Sequence, residues 1–192
     1  YAHSAVVEEG ELAEGAIVNA AVDHHRRALL RRNHTATHLL DAALKNVLGD
    51  HVNQAGSLVA PEHLRFDFTH FEPLSSEQLA QIERLVNDQI FAAKPVVTRV
   101  MAIDEAKAAG VGSVGAEEHP FSRELCGGTH AANTAEIGLF KIVSESSTGS
   151  NVRRIEAVTS EGAIAYLEER ACMLDTAASE PKCRPDEVAG RI

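Results

Sequence analysis

The sequence has few cysteines: three in 192 residues, an odd number spread over a long chain. That rules out a disulfide framework and makes a reducing compartment, the cytoplasm, the expectation. It has no apolar run near the ~20 residues that span a bilayer, and nothing at its start resembles a secretory signal. It also lacks an initiating methionine, and a start at Tyr1 fits a piece of something longer. Basic residues are in the minority, 18 Lys and Arg against 28 Asp and Glu, for a net charge of −10. A uniformly basic nucleic-acid binder is thereby excluded, though a locally basic face is not. What is present is 44% hydrophobic residues and 24% charged ones. That supplies a core and excludes wholesale disorder.

The patterning predicts an α+β fold with a mixed or antiparallel sheet, because strands and helices alternate without a regular βα repeat. Residues 1–23 read as two short strands, the tail of a preceding β-barrel-like domain, with the apolar run 16–22 as the second strand. A helix is expected over 31–48, where Ala36, Leu39, Leu40, Ala43, Leu44, Val47 and Leu48 recur at helical spacing before Gly49. Strands follow at 56–60 and 64–69, the latter with Leu64, Phe66 and Phe68 on one face. Ser75 and Gln78 form a capping box for a helix to about Ala92. A strand is expected from Pro95 to Ile103, then a short helix over 104–109, a Gly-rich loop over 110–120, and a turn at 127–130. Strands at 137–144 and 152–159 flank a polar loop, and a helix over 162–178 leads into a linker. The central domain is thus 24–160, with 161–192 as a helix and linker toward a C-terminal module.

The chemistry concentrates in the histidines. His34 and His38, four apart, share one helical face within reach of a single ion. Isolated pairs of this kind are more often core or surface residues. These two, however, point about 160° from the apolar stripe of their own helix. With Asp41 and Lys45 on the same side, both a solvated face and the wall of a cleft stay open. Cys126 and His130 are also four apart, and Gly127 and Gly128 let the backbone turn tightly enough to converge both on one ion. Thiolate with imidazole is zinc chemistry, and the two pairs complete a tetrahedral set for Zn2+. Ahead of the helix, Arg26, Arg27, Arg31 and Arg32 form a cationic cluster without an intervening acid. It reads either as a solvated helix start or as a phosphate contact.

The stretches NHTATHLLDAAL, QAGSLVAPEHLRFDF, ELCGGTH and IGLFKIVSESS with NVRRIEAVT, in that order from about Val18 to Thr159, resemble the editing domain of alanyl-tRNA synthetases. Free-standing alanyl-tRNA editing proteins share the ligand logic, as does, more distantly, the editing domain of threonyl-tRNA synthetase. The resemblance implies hydrolysis of serine or glycine from the 3′ end of tRNA specific for alanine. It also implies zinc on His34, His38, Cys126 and His130, and a functional role for Gln54. Thr35 and Ser57 are further candidates for substrate contact, as are Arg31 and Arg32 for phosphate. The remaining synthetase domains would be partners, with neither membrane nor DNA involved. The family's insert before ELCGGTH is longer than the 111–123 stretch here, which puts substrate contacts from that segment in doubt. No motif for ATP binding occurs. Two rivals remain. One is a free-standing editing enzyme, the other a non-catalytic zinc module that binds tRNA, which a closed four-ligand site would suit.

Among the other residues, Arg65 and Asp67 are expected to pair structurally. One of Arg153 and Arg154 is expected to face a phosphate or a neighbouring domain. His24 and His25 read as surface residues, and Cys172 and Cys183 as bystanders.

Overall fold

The computed structural model describes residues 2–109, 121–179 and 183–190. A four-stranded sheet forms its centre: β1 (Gln54–Val59), β2 (Leu64–Thr69), β3 (Phe140–Gly149) and β4 (Val152–Thr159). The spatial order is β1-β2-β4-β3, and every neighbouring pair is antiparallel. Among the described residues four α-helices accompany it: α1 (His24–Leu48), α2 (Ser76–Phe91), α3 (Ile103–Ala108) and α4 (Ser160–Ser179). The α+β expectation holds, and the sheet is wholly antiparallel.

The core lies between one sheet face and the helices α1 and α2. Leu64, Phe66 and Phe68 alternate inward from β2, and Ile155 and Ala157 join them from β4. They meet Leu40 and Leu44 of α1 and Ile82, Val86 and Ile90 of α2, all essentially sealed from solvent. Burying each large side chain contributes roughly 1.5–3 kcal/mol. This anchors α1 rigidly and leaves its other face at the edge of the core. Asn33 fixes the helix further. Its buried amide donates to the Ala60 carbonyl at 2.7 Å and accepts the Thr159 hydroxyl at 2.7 Å, tying α1 to the β1–β2 turn and the end of β4.

The capping box at Ser75 and Gln78 forms as expected. Four local expectations are corrected. Residues 2–23 hold no strand. The apolar run there has no partner, and Ile17 is fully exposed. α1 begins at His24 rather than residue 31, because Asp23 caps it by accepting the Arg26 N–H at 2.9 Å. The strand expected from Pro95 reduces to one bridge between Pro95 and Asn133. Beyond it no strand runs alongside among the described residues, and Val97 and Val100 are exposed. That bridge, with the Val96 N–H donating to the Ala132 carbonyl at 2.9 Å, pins the segment after His130 to the end of α2. Finally, the polar stretch after Ser144 is strand up to Gly149, because Glu145 finds a partner across the hairpin in Arg153. The turn narrows to Ser150 and Asn151, the latter at φ 59°. The loop expected over 110–120 lies outside the described residues.

The α4 helix packs sparsely. Of its residues only Ala163 and Ala178 are buried, while Ile164, Leu167, Met173 and Leu174 are exposed. No helix is long and apolar enough to cross a membrane among the described residues.

Candidate metal centre

The core-locked face of α1 leaves His34 and His38 half-buried, aimed at the loop that carries Cys126 and His130. One donor atom from each of these four residues lies within 4.8 Å of every other. The Cys126 Sγ stands 3.4 Å from His34 Nε2. The ring centroids of His34 and His130 are 4.4 Å apart, those of His34 and His38 5.1 Å, and those of His38 and His130 5.0 Å. Residues 92 positions apart in the chain thus meet at one point.

The surroundings orient the ligands. His34 Nδ1 donates to the Thr129 carbonyl at 3.1 Å, which leaves Nε2 unprotonated and facing the cluster. His38 Nδ1 donates to Glu124 Oε2 at 2.5 Å, and Ser122 donates to the other oxygen of that carboxylate at 2.7 Å. The remaining nitrogen of His38, Nε2, is buried with no hydrogen-bond partner. A buried acceptor left empty is costly, and a metal ion would satisfy it. A carboxylate behind a ligating imidazole is the usual second layer of a metal site. The Gly128 N–H donates to Cys126 Sγ at 3.3 Å, which fixes where the sulfur sits in the loop. A Cβ at Gly128 would lie 1.9 Å from His34 Cε1, so only glycine lets the loop close over that ring. The donor set of three imidazoles and a thiolate fits a divalent ion of borderline softness.

Electrostatics agree with ligand duty at His34 and His130, whereas His38 is pulled the other way. Burial, reinforced by the charge of His34 and then His38, pushes His130 down to about 4. Burial and then His38 lower His34 as well, which favours the neutral form of both rings. For His38 burial alone would act downward, but the Glu124 hydrogen bond and charge, with Cys126 behind them, win and raise it. Burial would raise Glu124, yet its hydrogen bond and ion pair with His38 hold it below the usual carboxylate range.

Beside the cluster opens a cavity of about 260 Å³. Gln54 and Ser57 of β1 line it opposite His34, Thr37 and His38, with Glu124 and Leu125 at its rim. The Gln54 amide donates to the Ser57 hydroxyl at 3.1 Å. The fold therefore brings Gln54 and Ser57 to the same cavity as His34, His38 and Cys126. Thr35 takes a different place. It is buried, donating to the Arg31 carbonyl at 2.8 Å and accepting the Ala131 N–H at 3.0 Å, and so fixes the loop next to His130. Its neighbour Thr37 lines the cavity instead. Arg31 and Arg32 border a second cavity, of about 300 Å³, at the start of α1. Arg153 and Arg154 are both spoken for, by Glu145 and Asp67 respectively, in two-pronged pairs. Asp67 does pair with Arg65, more loosely at 3.8 Å. His24 and His25 are exposed at the helix start, and Cys172 and Cys183 are free thiols away from the cluster.

Glu124 was not singled out by sequence reasoning. Its signal was an acid two residues before Cys126, but the hydrogen bond that gives it meaning crosses 86 positions.

Residues 99–156 match the family described as "Threonyl and Alanyl tRNA synthetase second additional domain". That span includes Cys126 and His130 and stops short of the two histidines of α1. The chain is 50% identical over 194 residues to the alanine–tRNA ligase of Staphylococcus epidermidis, covering 96% of this chain and 22% of that protein. It is 50% identical over 185 residues to the alanine–tRNA ligase of Idiomarina loihiensis, covering 91% and 21%. The Staphylococcus aureus enzyme is 49% identical over 195 residues. The chain thus spans about a fifth of the length of these relatives. Residues 99–156 are thus similar to the second additional domain of the threonyl and alanyl tRNA synthetases, within a chain that over nearly all its length is similar to a segment of alanine–tRNA ligases.

Proposed function

We propose that this segment is an editing hydrolase that removes serine or glycine from tRNA specific for alanine, with zinc held by His34, His38, Cys126 and His130. The observation that carries the reading is the convergence of these four donors beside a cavity lined by Gln54. A zinc ion there would act as a Lewis acid toward an ester carbonyl or lower the pKa of a bound water.

The need for such a site follows from size. A synthetic pocket for alanine cannot keep out glycine, and a methyl is worth only about 1–3 kcal/mol in discrimination. Rejecting serine by its added hydroxyl is similarly weak, whereas a polar site that binds the hydroxyl separates serine from alanine well. Gln54 keeps hydrogen-bonding capacity beyond its contact with Ser57. In this reading it receives the aminoacyl group, with Ser57 beside it. Glu124 holds His38 in register, and Leu125 and Phe66 limit water at the reacting ester. Arg31 and Arg32 meet the tRNA backbone, and the rest of a synthetase supplies most of the affinity. The setting is the cytoplasm.

The test is ester loss from seryl-tRNA and alanyl-tRNA for alanine. Selective loss of serine, abolished by Cys126→Ala and reduced by Gln54→Leu, supports the hydrolase. No turnover with metal bound would leave the second reading, a zinc-stabilised tRNA-binding module. That reading is favoured by one feature, the presence of four protein ligands where catalytic zinc sites usually have three.

A further inference from the structure

The α1 helix carries more than two metal ligands on its exposed stripe. At about 100° per residue, Arg27, Arg31, His34 and His38 fall within about 60° of one another around the helix. The arginines therefore continue the ligand row toward the helix start, with Arg31 about 5 Å and Arg27 about 10 Å from His34 along the axis. They open onto the 300 Å³ cavity, which Arg32 and His24 also line.

Three features mark this cavity as waiting for an anion. Arg27 and Arg31 are like charges four apart, a spacing that destabilises a helix unless something neutralises it. Neither is ion-paired among the described residues, and Arg32 has only a loose contact with the exposed Glu161 at 3.9 Å. A single acid lines the cavity, Glu136, whose Oε1 accepts the Ala132 and Asn133 N–H groups at 3.1 Å each, so one carboxylate stands against three guanidinium groups. In a chain of net charge −10 such a concentration of unpaired guanidinium is not an average of the surface. The cavity is also wired to the metal cluster. Arg31 Nε donates to the Thr129 hydroxyl at 3.0 Å, and the carbonyl of the same Thr129 receives His34 Nδ1.

We infer that the Arg27–Arg31–Arg32 cavity is a subsite for consecutive backbone phosphates of a single-stranded RNA 3′ end. The inference rests on the editing reading for its occupant and extends it by naming the part of the substrate that is gripped and by what. With an ester on the last ribose held at the cluster, the phosphate of that nucleotide and then the preceding one run back along the strand. Arg31 and Arg27 succeed one another along the helix in the same order. Guanidinium suits this duty, since its planar fork binds phosphate oxygens in pairs. Arg31 also reports occupancy to Thr129, whose carbonyl sets the orientation of His34. Arg27 is thereby a substrate-positioning residue remote from the reacting ester.

The experiment measures binding of an uncharged RNA hairpin ending in four unpaired nucleotides, with the full metal-loaded chain, across a salt series. Arg27→Gln and Arg32→Gln are each expected to weaken binding about fivefold at physiological salt and to flatten the salt slope by about 0.7. Arg27→Lys keeps the charge and restores most of the affinity, which separates an electrostatic contact from a folding defect. Arg84→Gln, on the exposed side of α2, leaves binding unchanged. Inorganic phosphate is expected to compete only weakly. Unchanged affinity and slope in the Arg27→Gln, Arg32→Gln double variant would overturn the subsite. So would tight capture of free phosphate that leaves RNA binding untouched. Because the probe carries no ester, the outcome is independent of hydrolysis. Arginine-dependent binding without ester loss sinks the editing reading alone, and ester loss without arginine dependence sinks the subsite alone.

Discussion

Glu124 and His38 form a carboxylate–imidazole pair in which Nδ1 donates to Oε2 at 2.5 Å, while Nε2 of the same ring is turned into the cluster without a partner. The pair decides which nitrogen of His38 is free to ligate. Glu124→Gln keeps the shape but replaces the charge with an amide that can present either end to the ring. Metal affinity is expected to fall about 10–100-fold, the usual cost of losing a second-layer partner. Titration against a competing chelator measures it directly, and an unchanged dissociation constant would refute the role.

Gly128→Ala places a methyl where His34 Cε1 now lies, at 1.9 Å. Because Gly128 is on an exposed loop, the core is untouched. The expected result is loss of metal binding by about tenfold or more, with the apo-protein's thermal midpoint within a degree or two of the parent. Equal metal affinity in the variant would mean the loop can close by another route.

The apo-protein should lose stability on acidification, and the sign follows from His130. Its folded pKa is about 4, against an ordinary 6.5. Between those values the unfolded chain binds more protons than the folded one, so stability falls as pH drops through that window. His34, also lowered, adds to the trend. His38 is raised and acts oppositely, contributing stability at low pH that is lost as pH rises through its folded value. With His70 lowered as well, three imidazoles against one predict a lower unfolding midpoint at pH 5 than at pH 7 without metal. A His130→Ala variant with an equally steep dependence would contradict this assignment.

Asn33→Ala removes a buried amide that serves three segments at once. The Ala60 carbonyl and the Thr159 hydroxyl are left without it. A stability loss of about 2–4 kcal/mol is expected from two unsatisfied buried groups, read by urea unfolding. Asn33→Asp, which keeps the acceptor for Thr159 but buries a carboxylate oxygen against the Ala60 and Pro61 carbonyls, should cost at least as much.

How far the sequence could be read depended on how local the cause was. The Ser75–Gln78 capping box and the strand Leu64–Thr69 are set by residues within a few positions of one another, and both appeared where spacing put them. The convergence of His34, His38, Cys126 and His130 was equally legible, since each pair declares itself by a four-residue interval. The strand expected from Pro95 failed because apolar alternation says nothing about whether a partner strand exists. Residues 2–23 failed for the same reason. Thr35, a candidate substrate contact one residue after His34, does not line the cavity beside the cluster. A one-residue step on a helix turns the side chain by about 100°, enough to send it toward Ala131 instead. Glu124 stayed hidden because its partner lies in another element altogether.

The two halves of the cluster are built to different standards of stiffness. His34 and His38 ride on a helix whose opposite side is cemented into the core by Leu40 and Leu44, while Cys126 and His130 arrive on an exposed strip with two adjacent glycines. An ion joining them would act as a clasp between a fixed jaw and a hinged one. Stripping it away would unbutton the strip from the helix, leaving sheet and core as they were, and would erase one wall of the chamber that Gln54 faces.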